Sequence, residues 1–172
     1  MALSSADLEK TRDIVSILHT SESILFITGA GVSADSGLPT YRGIGGLYNR
    51  ERTEEGCRIE EALSGEMLRV RPDIPWKYIL QIERNCRGAR FNRAHEVIAA
   101  LERQFPKVWT LTQNIDGFHR DAGSKNIIEI HGDIHDILCT NCEYKDTVYD
   151  YRALNGVPHC PHCGEVVRPA VV

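Results

Sequence analysis

The sequence ILFITGAGVSADSGLPTYR occupies residues 24–42. It begins with a short apolar run and then turns abruptly to Thr28-Gly29-Ala30-Gly31. This pattern is typical of a buried parallel strand that runs into a glycine turn and then a helix. Glycine lacks the Cβ atom that would keep a diphosphate away from the backbone, and the first N–H groups of a following helix are free to bind an anion. The segment therefore predicts a nucleotide-binding turn.

The spacing of Gly29, Gly31 and Ala34 matches the G-x-G-x-x-(G/A) pattern of dinucleotide-binding turns. Taken alone, it is equally compatible with an ordinary strand–turn–helix connection. A P-loop is disfavoured, because no Gly-Lys-Ser/Thr follows the turn. A standard dehydrogenase turn is also disfavoured, since the acidic residues roughly 20 positions on lie in residues 49–61, which have no strand pattern. We therefore expect a nucleotide to be held in a non-standard way.

Composition and charge exclude several classes of protein. With 172 residues, 42% hydrophobic and 26% charged, the chain has an ordinary globular composition and enough length for one core and a small module. The net charge of −4 gives no basic surface for nucleic acid or an anionic membrane. No apolar run approaches the roughly 18 residues of a membrane span, and the first residues lack the pattern of a secretory signal. We therefore expect a cytoplasmic protein.

Along the rest of the chain, helical and strand patterns alternate, which predicts an α/β fold with a parallel sheet and helices on its faces. Residues 43–75 have no clear period and are interpreted either as a loop with short helical pieces that closes over a ligand or as an irregular surface segment. The other predicted elements are a helix capped by Ser4 or Ser5, a short helix over 76–85, a helix from the Asn92 cap to Gln104 with Val97, Ile98 and Leu101 on its buried face, and strands over 107–112 and 127–130.

Two Cys-x-x-Cys pairs are the strongest chemical signal in the sequence. Four thiolates at this spacing are the ligand set of a tetrahedral zinc ion, and the ion is structural because the protein fills all four positions. Paired cysteines in a chain without an export signal also indicate a reducing compartment. His135, His159 and His162 are alternative ligands, but four cysteines suffice and we expect these histidines to face solvent. The cysteines, with 17 residues between the pairs, are Cys139, Cys142, Cys160 and Cys163.

A second polar group follows two of the predicted strands. The carboxyl ends of parallel strands form the edge at which α/β proteins bind ligands, and the glycine turn opens on the same edge. A histidine there titrates near neutral pH and can act as a general base, while amide and carboxylate groups suit a carboxamide or a ribose hydroxyl. The structural alternative is a hydrogen-bonded histidine beside residues that cap the next helix. The group comprises Gln113, Asn114, Asp116, His119 and His131.

Together these motifs resemble the sirtuins, a family of NAD-dependent protein-lysine deacylases. GAGVSADSGLPTYRG at residues 29–43, TQNID at 112–116, His131-Gly132 and the two cysteine pairs occur in the family's order and roughly at its spacing. The resemblance begins near Ile24 and extends to the last residue.

The resemblance implies a domain organisation as well as a fold, namely a Rossmann-like parallel sheet with helices on both faces and a small zinc-binding module. Residues 1–133 would form the NAD-binding domain, with a helical or loop insert at about 43–90. Residues 134–168 would form the zinc-binding module, and 169–172 would begin the return to the first domain. By the same resemblance, we expect that about the last third of the family fold is not in this chain.

The resemblance also assigns roles to individual residues. His131 would deprotonate a ribose hydroxyl as general base, and Asn114 would be the second catalytic residue. Gln113 would contact the nicotinamide ribose, and Asn114 and Asp116 would hold the carboxamide. The implied NAD-binding set is Gly29, Ala30, Gly31, Ser33, Thr40, Tyr41, Arg42, Gln113, Asn114, Ile115 and Asp116.

The implied reaction moves the acyl group of an acyl-lysine protein or peptide to ADP-ribose and releases nicotinamide. NAD would be the co-substrate, and one Zn²⁺ ion would be structural. Two alternatives stay open because they use the same site: ADP-ribosyl transfer to a protein side chain, and binding of NAD or a partner without turnover. Direct contact with nucleic acid or membrane is not expected.

One departure from the family concerns the acyl group. The sequence at residues 40–42 resembles a branch that includes enzymes which remove acidic acyl groups, and those enzymes bind the acyl carboxylate with a Tyr-x-x-Arg on the helix near Trp76. The corresponding residues here are 78–81, or Ile79 and Ile82 in a shifted register, and neither reading supplies a guanidinium. We therefore expect a neutral acyl group, acetyl or somewhat longer.

Overall fold

The computed structural model describes residues 4–38, 52–154 and 156–172. Within them the chain forms one parallel and one antiparallel sheet, with most of the helices between the first two strands. The predicted NAD-binding residues Thr40, Tyr41 and Arg42 lie outside the described residues. The elements are α1 (Ser5–Thr20), β1 (Ile24–Thr28), a 3-10 helix (Ala30–Ser36), α2 (Ile59–Ala62), α3 (Gly65–Val70), α4 (Asp73–Cys86), α5 (Arg93–Gln104), β2 (Val108–Thr112), α6 (Phe118–Asp121), β3 (Ile127–Glu129), β4 (Gly132–Cys139), β5 (Lys145–Thr147) and β6 (Val167–Val171).

The parallel sheet contains three strands in the order β1-β2-β3. Ile24 pairs with Val108 and Thr28 with Thr112, so β1 and β2 run in register over their whole length. Helices α2 to α5 connect β1 to β2, and α6 connects β2 to β3, which is the arrangement that lets neighbouring strands run parallel. The predicted parallel sheet with helices is confirmed.

The two faces of this sheet differ in burial. On the face toward α5, Val108 and Thr110 are 1% exposed, whereas on the other face Leu25, Ile27 and Trp109 are 54%, 69% and 46% exposed. The prediction of a fully buried β1 is therefore wrong for alternate side chains, because within the described residues only one face of the strand is covered. Helix α1 buries none of its own side chains.

The helices follow their sequence signals closely. Asn92 caps α5 by accepting a hydrogen bond from the Ala94 N–H, and Ile98 is buried as predicted. Val97 is 41% exposed, so its predicted burial is wrong: it lies about 100° around the helix from Ile98, on the solvent side. Helix α4 begins before the predicted start, with Pro75 in its first turn, where proline is tolerated. No helix in the described parts of the chain has the length and apolarity needed to cross a membrane.

The antiparallel sheet, ordered β5-β4-β6, was not predicted. It packs against α4, and Trp76 connects the two by donating a hydrogen bond from Nε1 to the Val167 carbonyl at 2.9 Å. The side chains between them form the largest buried apolar cluster among the described residues: Trp76, Ile79, Ile134, Ile137, Cys139, Tyr151, Cys160 and Val167. The helices that follow the glycine turn and the cysteine-bearing sheet therefore share one core.

Candidate active-site cleft and metal centre

The glycine turn lies at the carboxyl end of β1. Gly29 has a φ of −145°, and the predicted helix after the turn is a 3-10 helix over Ala30–Ser36. A Cβ atom built on Gly29 or Gly31 would meet no atom within 4 Å. Neither glycine has a positive φ, so what glycine contributes here is open space over the backbone rather than an unusual conformation.

A buried hydrogen-bond network joins this turn to the segment after β2. The Asn114 amide donates to the Gly29 carbonyl and to the Ser33 hydroxyl, both at 3.1 Å. Ser33 in turn donates to the Asp116 carboxylate at 2.7 Å, and Asp116 also accepts from the Phe118 N–H at 3.0 Å. The contacts of Asn114 and Ser33 span more than 80 residues of sequence, so they fix the two strand ends against each other.

A cleft of about 1320 Å³ opens beside the network. Its wall carries predicted site residues from three separate segments: Ala30, Gln113, Asn114, Ile115 and His131. Ser33 and Asp116 are 1% and 7% exposed and stand behind this wall. The rest of the wall is largely apolar and comes from α2–α4 and from the antiparallel sheet, including Leu63, Leu68, Ile79, Ile82, Ile134, Leu138 and Val166.

The apolar part of the cleft was missed by the sequence reasoning. Leu63 and Leu68 fall in residues 43–75, for which no period was recognised. Ile59, Ala62 and Leu63 do stand at positions i, i+3 and i+4, and Leu63 packs against the small buried cluster that contains the other two. That helical spacing could have identified α2 as a helix with a buried face, although not the wall that it forms with the distant sheet.

His131 lies between β3 and β4, half-buried and on the cleft wall. The next residue, Gly132, has a φ of +80° and begins the antiparallel sheet. The His131 carbonyl accepts a hydrogen bond from the Val172 N–H at 3.2 Å, so the backbone there is held by the residue that follows β6.

His119, predicted in the same polar group, does not line the cleft. It is 2% exposed, and its Nε2 atom is 2.9 Å from the Thr28 hydroxyl. Burial and the neighbouring His95 ring lower the pKa of His119 to about 4, and the Asp116 carboxylate opposes this only in part. This geometry agrees with the structural alternative for His119, a buried and hydrogen-bonded histidine.

The lowered pKa of His119 makes stability depend on pH. Between about pH 6.5 and pH 4 the unfolded chain binds a proton at this histidine and the folded chain does not, so the free energy of unfolding falls as the pH falls. We expect a slope up to about 1.4 kcal/mol per pH unit from this group. Urea unfolding at pH 6.5 and pH 5 should show a smaller slope for His119→Gln than for the unchanged protein. A variant of the exposed His19, His19→Gln, should keep the full slope, and equal slopes in all three proteins would contradict the assignment.

An ion-pair cluster holds the start of β4, two residues beyond His131. The Asp133 carboxylate, 3% exposed, accepts from His135 Nδ1 at 2.9 Å and lies 3.3 Å from the Arg120 guanidinium. Burial alone would raise the pKa of Asp133, but its hydrogen bonds with His135 hold that pKa below the usual range. Gly117 leaves room for this carboxylate, since a Cβ atom there would lie 2.9 Å from Asp133 Oδ2.

The four paired cysteines converge in the antiparallel sheet. All four Sγ atoms lie within 4.8 Å of one another, with 3.4 Å between Cys139 and Cys163 and 3.6 Å between Cys142 and Cys160. A tetrahedral zinc ion with sulfur ligands at about 2.3 Å places its sulfurs about 3.8 Å apart, so the cluster fits this ion.

Backbone donors around the cysteines favour the thiolate form that a metal requires. The N–H groups of Asn141 and Cys142 point to Cys139 Sγ at 3.4 Å, and the His162 N–H points to Cys160 Sγ at the same distance. Burial opposes ionisation of Cys139, but its two backbone donors and the neighbouring thiols lower its pKa to about 6. The pKa of Cys142 is lowered by its backbone donor at Tyr144 but raised overall by burial and by the other three thiols. The donor set and the geometry together fit a structural zinc site.

The three nearby histidines are engaged elsewhere. His159 and His162 are exposed, as predicted; His159 bonds the Gly164 carbonyl at 2.9 Å, and the His162 ring lies 5.0 Å from that of Tyr144. His135 was also expected to face solvent, and this is wrong in part, because the side chain is half-buried against Asp133.

The chain is similar in sequence to proteins of one family. The model of the Sir2 family matches residues 29–172. The chain is 52% identical over 163 residues to NAD-dependent protein deacylase 2 of Pseudomonas aeruginosa. The aligned region covers 92% of this chain and 63% of that protein. It is 38% identical over 162 residues to the NAD-dependent protein deacylase of Thermococcus sibiricus, covering 91% and 61%. The chain thus spans less than two thirds of the length of these relatives.

Solved structures of Sir2 proteins match the fold of this chain over most of its length. The crystal structure of a Sir2 homolog–NAD complex matches with a TM-score of 0.80 at 35% identity, over 94% of this chain and 60% of the other. A Sir2 complex with a deacetylated peptide and 3′-O-acetyl-ADP-ribose matches with a TM-score of 0.80 at 30% identity, over 94% and 64%. Since the family model, the sequence identities and the fold agree over most of its length, the chain belongs to the Sir2 family.

Proposed function

We propose that this chain carries the catalytic cleft of an NAD-dependent protein-lysine deacylase, which transfers an acyl group to ADP-ribose and releases nicotinamide. The observation that carries the proposal is that His131 shares one cleft wall with Ala30, Gln113 and Asn114, although these residues are far apart in sequence. Its support also includes the relatives named NAD-dependent protein deacylase and the family's complexes with NAD and with 3′-O-acetyl-ADP-ribose.

The described residues fit NAD in two respects. The open space over Gly29 and Gly31 allows a diphosphate to approach the backbone. The Asn114 amide nitrogen is engaged by Gly29 and Ser33, and within the described residues its Oδ1 atom accepts no hydrogen bond, so it suits the NH₂ group of a carboxamide. When bound, NAD supplies an anomeric carbon from which nicotinamide can leave.

The remaining assigned residues orient this site or act on protons. Asp116 holds Ser33, and Ser33 holds Asn114, so their contribution is to fix the amide that faces the cleft. Gln113 and Ile115 form the wall on either side of that amide. His131, half-buried on the same wall, accepts the proton of a ribose hydroxyl as general base.

Replacement of His131 tests the proposal directly. The unchanged protein, mixed with NAD and an acetyl-lysine peptide, should yield free peptide, nicotinamide and O-acetyl-ADP-ribose by mass spectrometry. We expect His131→Ala to lower the rate by at least about 100-fold, the usual loss on removal of a general base. His19→Ala removes an exposed histidine outside the cleft and should leave the rate unchanged. The assay is run on the 172-residue chain and, beside it, on the full reading frame.

Two results would reject the proposal. ADP-ribose retained on protein, with the acyl-lysine intact, would indicate ADP-ribosyl transfer. Saturable NAD binding without nicotinamide release, and unaffected by His131→Ala, would indicate a binding module without turnover.

We further propose that the acyl group is neutral. The cleft wall carries Ile79 and Ile82 from α4, next to Leu63 and Leu68. Tyr78 occupies the tyrosine position of the Tyr-x-x-Arg motif. Its hydroxyl donates to the Glu55 carboxylate at 2.5 Å, and the residue does not line the cleft. An apolar wall stabilises an acetyl or longer hydrocarbon chain, whereas burying a carboxylate against it is costly. Two guanidinium groups also line the cleft, but Arg69 is exposed and Arg168 donates to the Pro169 and Val171 carbonyls.

Competing acyl peptides test this preference. We expect kcat/KM for acetyl- and butyryl-lysine to exceed that for succinyl-lysine by at least about tenfold, because the succinyl carboxylate would be desolvated against the apolar side chains of Ile79 and Ile82. Ile82→Arg places a guanidinium in the wall and should raise the relative rate on succinyl-lysine, while Ile82→Leu serves as the matched control. A desuccinylation rate equal to deacetylation on one peptide would overturn the preference.

We also propose that the protein acts in a reducing compartment, the cytoplasm. Support comes from the four converging cysteines, whose thiolates must stay reduced to hold zinc.

A further inference from the structure

One arginine binds carboxylates on both sides of His131. Arg120 lies in α6, and its guanidinium pairs through Nη2 with Glu129, the last residue of β3. Its other terminal nitrogen, Nη1, lies 3.3 Å from the Asp133 carboxylate. Glu129 and Asp133 stand two residues before and two residues after His131. A single side chain therefore binds both ends of the turn that carries this histidine.

The carboxylates of these ion pairs are shielded from solvent. The side chains of Glu129 and Asp133 are 17% and 3% exposed, whereas that of Arg120 is 47% exposed. An exposed ion pair contributes little to stability, but a buried carboxylate that loses its cation is left with a costly unpaired charge. Burial raises the pKa of Glu129, and the charge of Arg120 opposes that shift. Arg120 therefore cannot leave these pairs without a penalty.

The two pairs join the two sheets at the point where one ends and the other begins. Glu129 forms the last residue pair between β2 and β3, and Asp133 is the second residue of β4. His131 lies between these strands, and the register of β4 against β6 shifts after Asp133. Regular strand pairing is thus interrupted on both sides of the histidine, and Arg120 supplies a side-chain connection across the interruption.

The helix that carries Arg120 directly follows the segment that forms another part of the cleft wall. Residues 113–116 lead through Gly117 into α6. A Cβ atom on Gly117 would lie 2.9 Å from Asp133 Oδ2, so the backbone before α6 packs closely on the same carboxylate. The Ile134 N–H also donates to the Ile115 carbonyl at 2.9 Å. Arg120 therefore lies where the wall segment after β2 meets the turn of His131.

We propose that Arg120 is a positioning residue, which holds His131 at a fixed place relative to residues 113–116 by binding Glu129 and Asp133 at the same time. Its effect on catalysis rests on the proposed function. Within the described parts of the chain Arg120 does not line the cleft, so it acts through the two carboxylates. A catalytic group displaced by about 1 Å can cost on the order of 100-fold in rate. Loosening the turn should therefore lower kcat, while the binding of NAD and peptide changes little.

Steady-state kinetics with NAD and an acetyl-lysine peptide, on the full reading frame, test this role. We expect Arg120→Gln to lower kcat about tenfold and to change either KM by less than about twofold. Arg93→Gln breaks an exposed ion pair with Glu96 on α5 and should leave kcat unchanged. Equal kcat values in these two variants, or a change in KM alone, would overturn the proposal.

A double variant tests whether Arg120 acts through Glu129. If it does, the losses in kcat from Arg120→Gln and Glu129→Gln are not additive, and the double variant should lose about as much as Arg120→Gln alone. Fully additive losses would show that the arginine acts by another route and would refute this part of the proposal.

Amide hydrogen exchange tests the positioning role without any turnover. In Arg120→Gln we expect the Ile134 N–H, bonded to Ile115, to exchange roughly tenfold faster because the turn opens more often. The Thr110 N–H, bonded to the Asn126 carbonyl at 2.9 Å, should keep its rate and thereby show that the variant is folded. An unchanged rate at Ile134, or equal acceleration at Thr110, would overturn the positioning role. Faster exchange at Ile134 alone, in a protein whose unsubstituted form does not deacylate, would reject the proposed function and keep the positioning role.

Discussion

Cys160→Ser is expected to abolish zinc binding and to unfold the antiparallel sheet together with its contact to α4. Cys160 is 4% exposed, and its sulfur lies among three other thiolate ligands. A structural zinc site contributes on the order of 10 kcal/mol to the folding of a small module, more than the sheet can replace from its own apolar contacts. Cys139 and Cys160 also belong to the buried cluster around Trp76. Loss of the metal should therefore also disturb the packing of α4, which contributes to the apolar wall of the cleft.

The two tryptophans allow this effect to be measured. Trp76 is 1% exposed and Trp109 is 46% exposed, so Trp109→Phe leaves a single buried reporter next to the metal module. In that background, Cys160→Ser or a strong chelator should shift the Trp76 emission to the red, and metal analysis should fall from one zinc per chain to none. Cys57→Ser alters a cysteine outside the cluster and should keep both signals. Full zinc content with unchanged emission in Cys160→Ser would refute the assignment of the ligands.

Gly132→Ala is expected to lower the free energy of unfolding by at least about 4 kcal/mol. Losses of this size are exceptional and come from severe steric or core defects. Gly132 has a φ of +80°, and a Cβ atom there would stand 1.8 Å from the Ala170 carbonyl oxygen. That oxygen belongs to β6, which pairs with β4 in the same sheet, so neither strand can retreat without losing the pairing. Because His131 directly precedes Gly132, relief of the clash would also displace the general base proposed for the reaction.

Gly88→Ala is the matched control for this prediction. Gly88 has nearly the same φ, +81°, but a Cβ atom there meets nothing within 4 Å. It therefore reports the backbone cost alone, which we expect to be about 1–2 kcal/mol. Urea unfolding of the two variants separates the backbone cost from the steric one. Similar losses in Gly132→Ala and Gly88→Ala would show that the contact with Ala170 carries no steric cost.

Much of the fold could be predicted from local signals. The Asn92 cap, the apolar run at β1 and the cysteine spacing each act over a few residues, and the structure has a capped helix, a parallel strand and a four-sulfur cluster at those places. Val97 shows the limit of this approach, because an apolar residue at the border of a helix face is as compatible with solvent as with the core. The roles of the NAD-binding residues, and the division of the chain into domains, stay predictions.

The sequence by itself determined the metal centre and the strand ends, because a Cys-x-x-Cys spacing and a strand followed by glycine constrain the backbone locally. Only the tertiary structure decided which histidine meets the cleft. His119 and His131 both follow strands of the same sheet, but the hydrogen bond to Thr28 draws His119 into the buried layer, whereas the turn at Gly132 leaves His131 on the cleft wall. The apolar wall likewise arises only when α2–α4 pack against a sheet that begins 46 residues after α4 ends, and contacts over such distances leave no local pattern in the sequence.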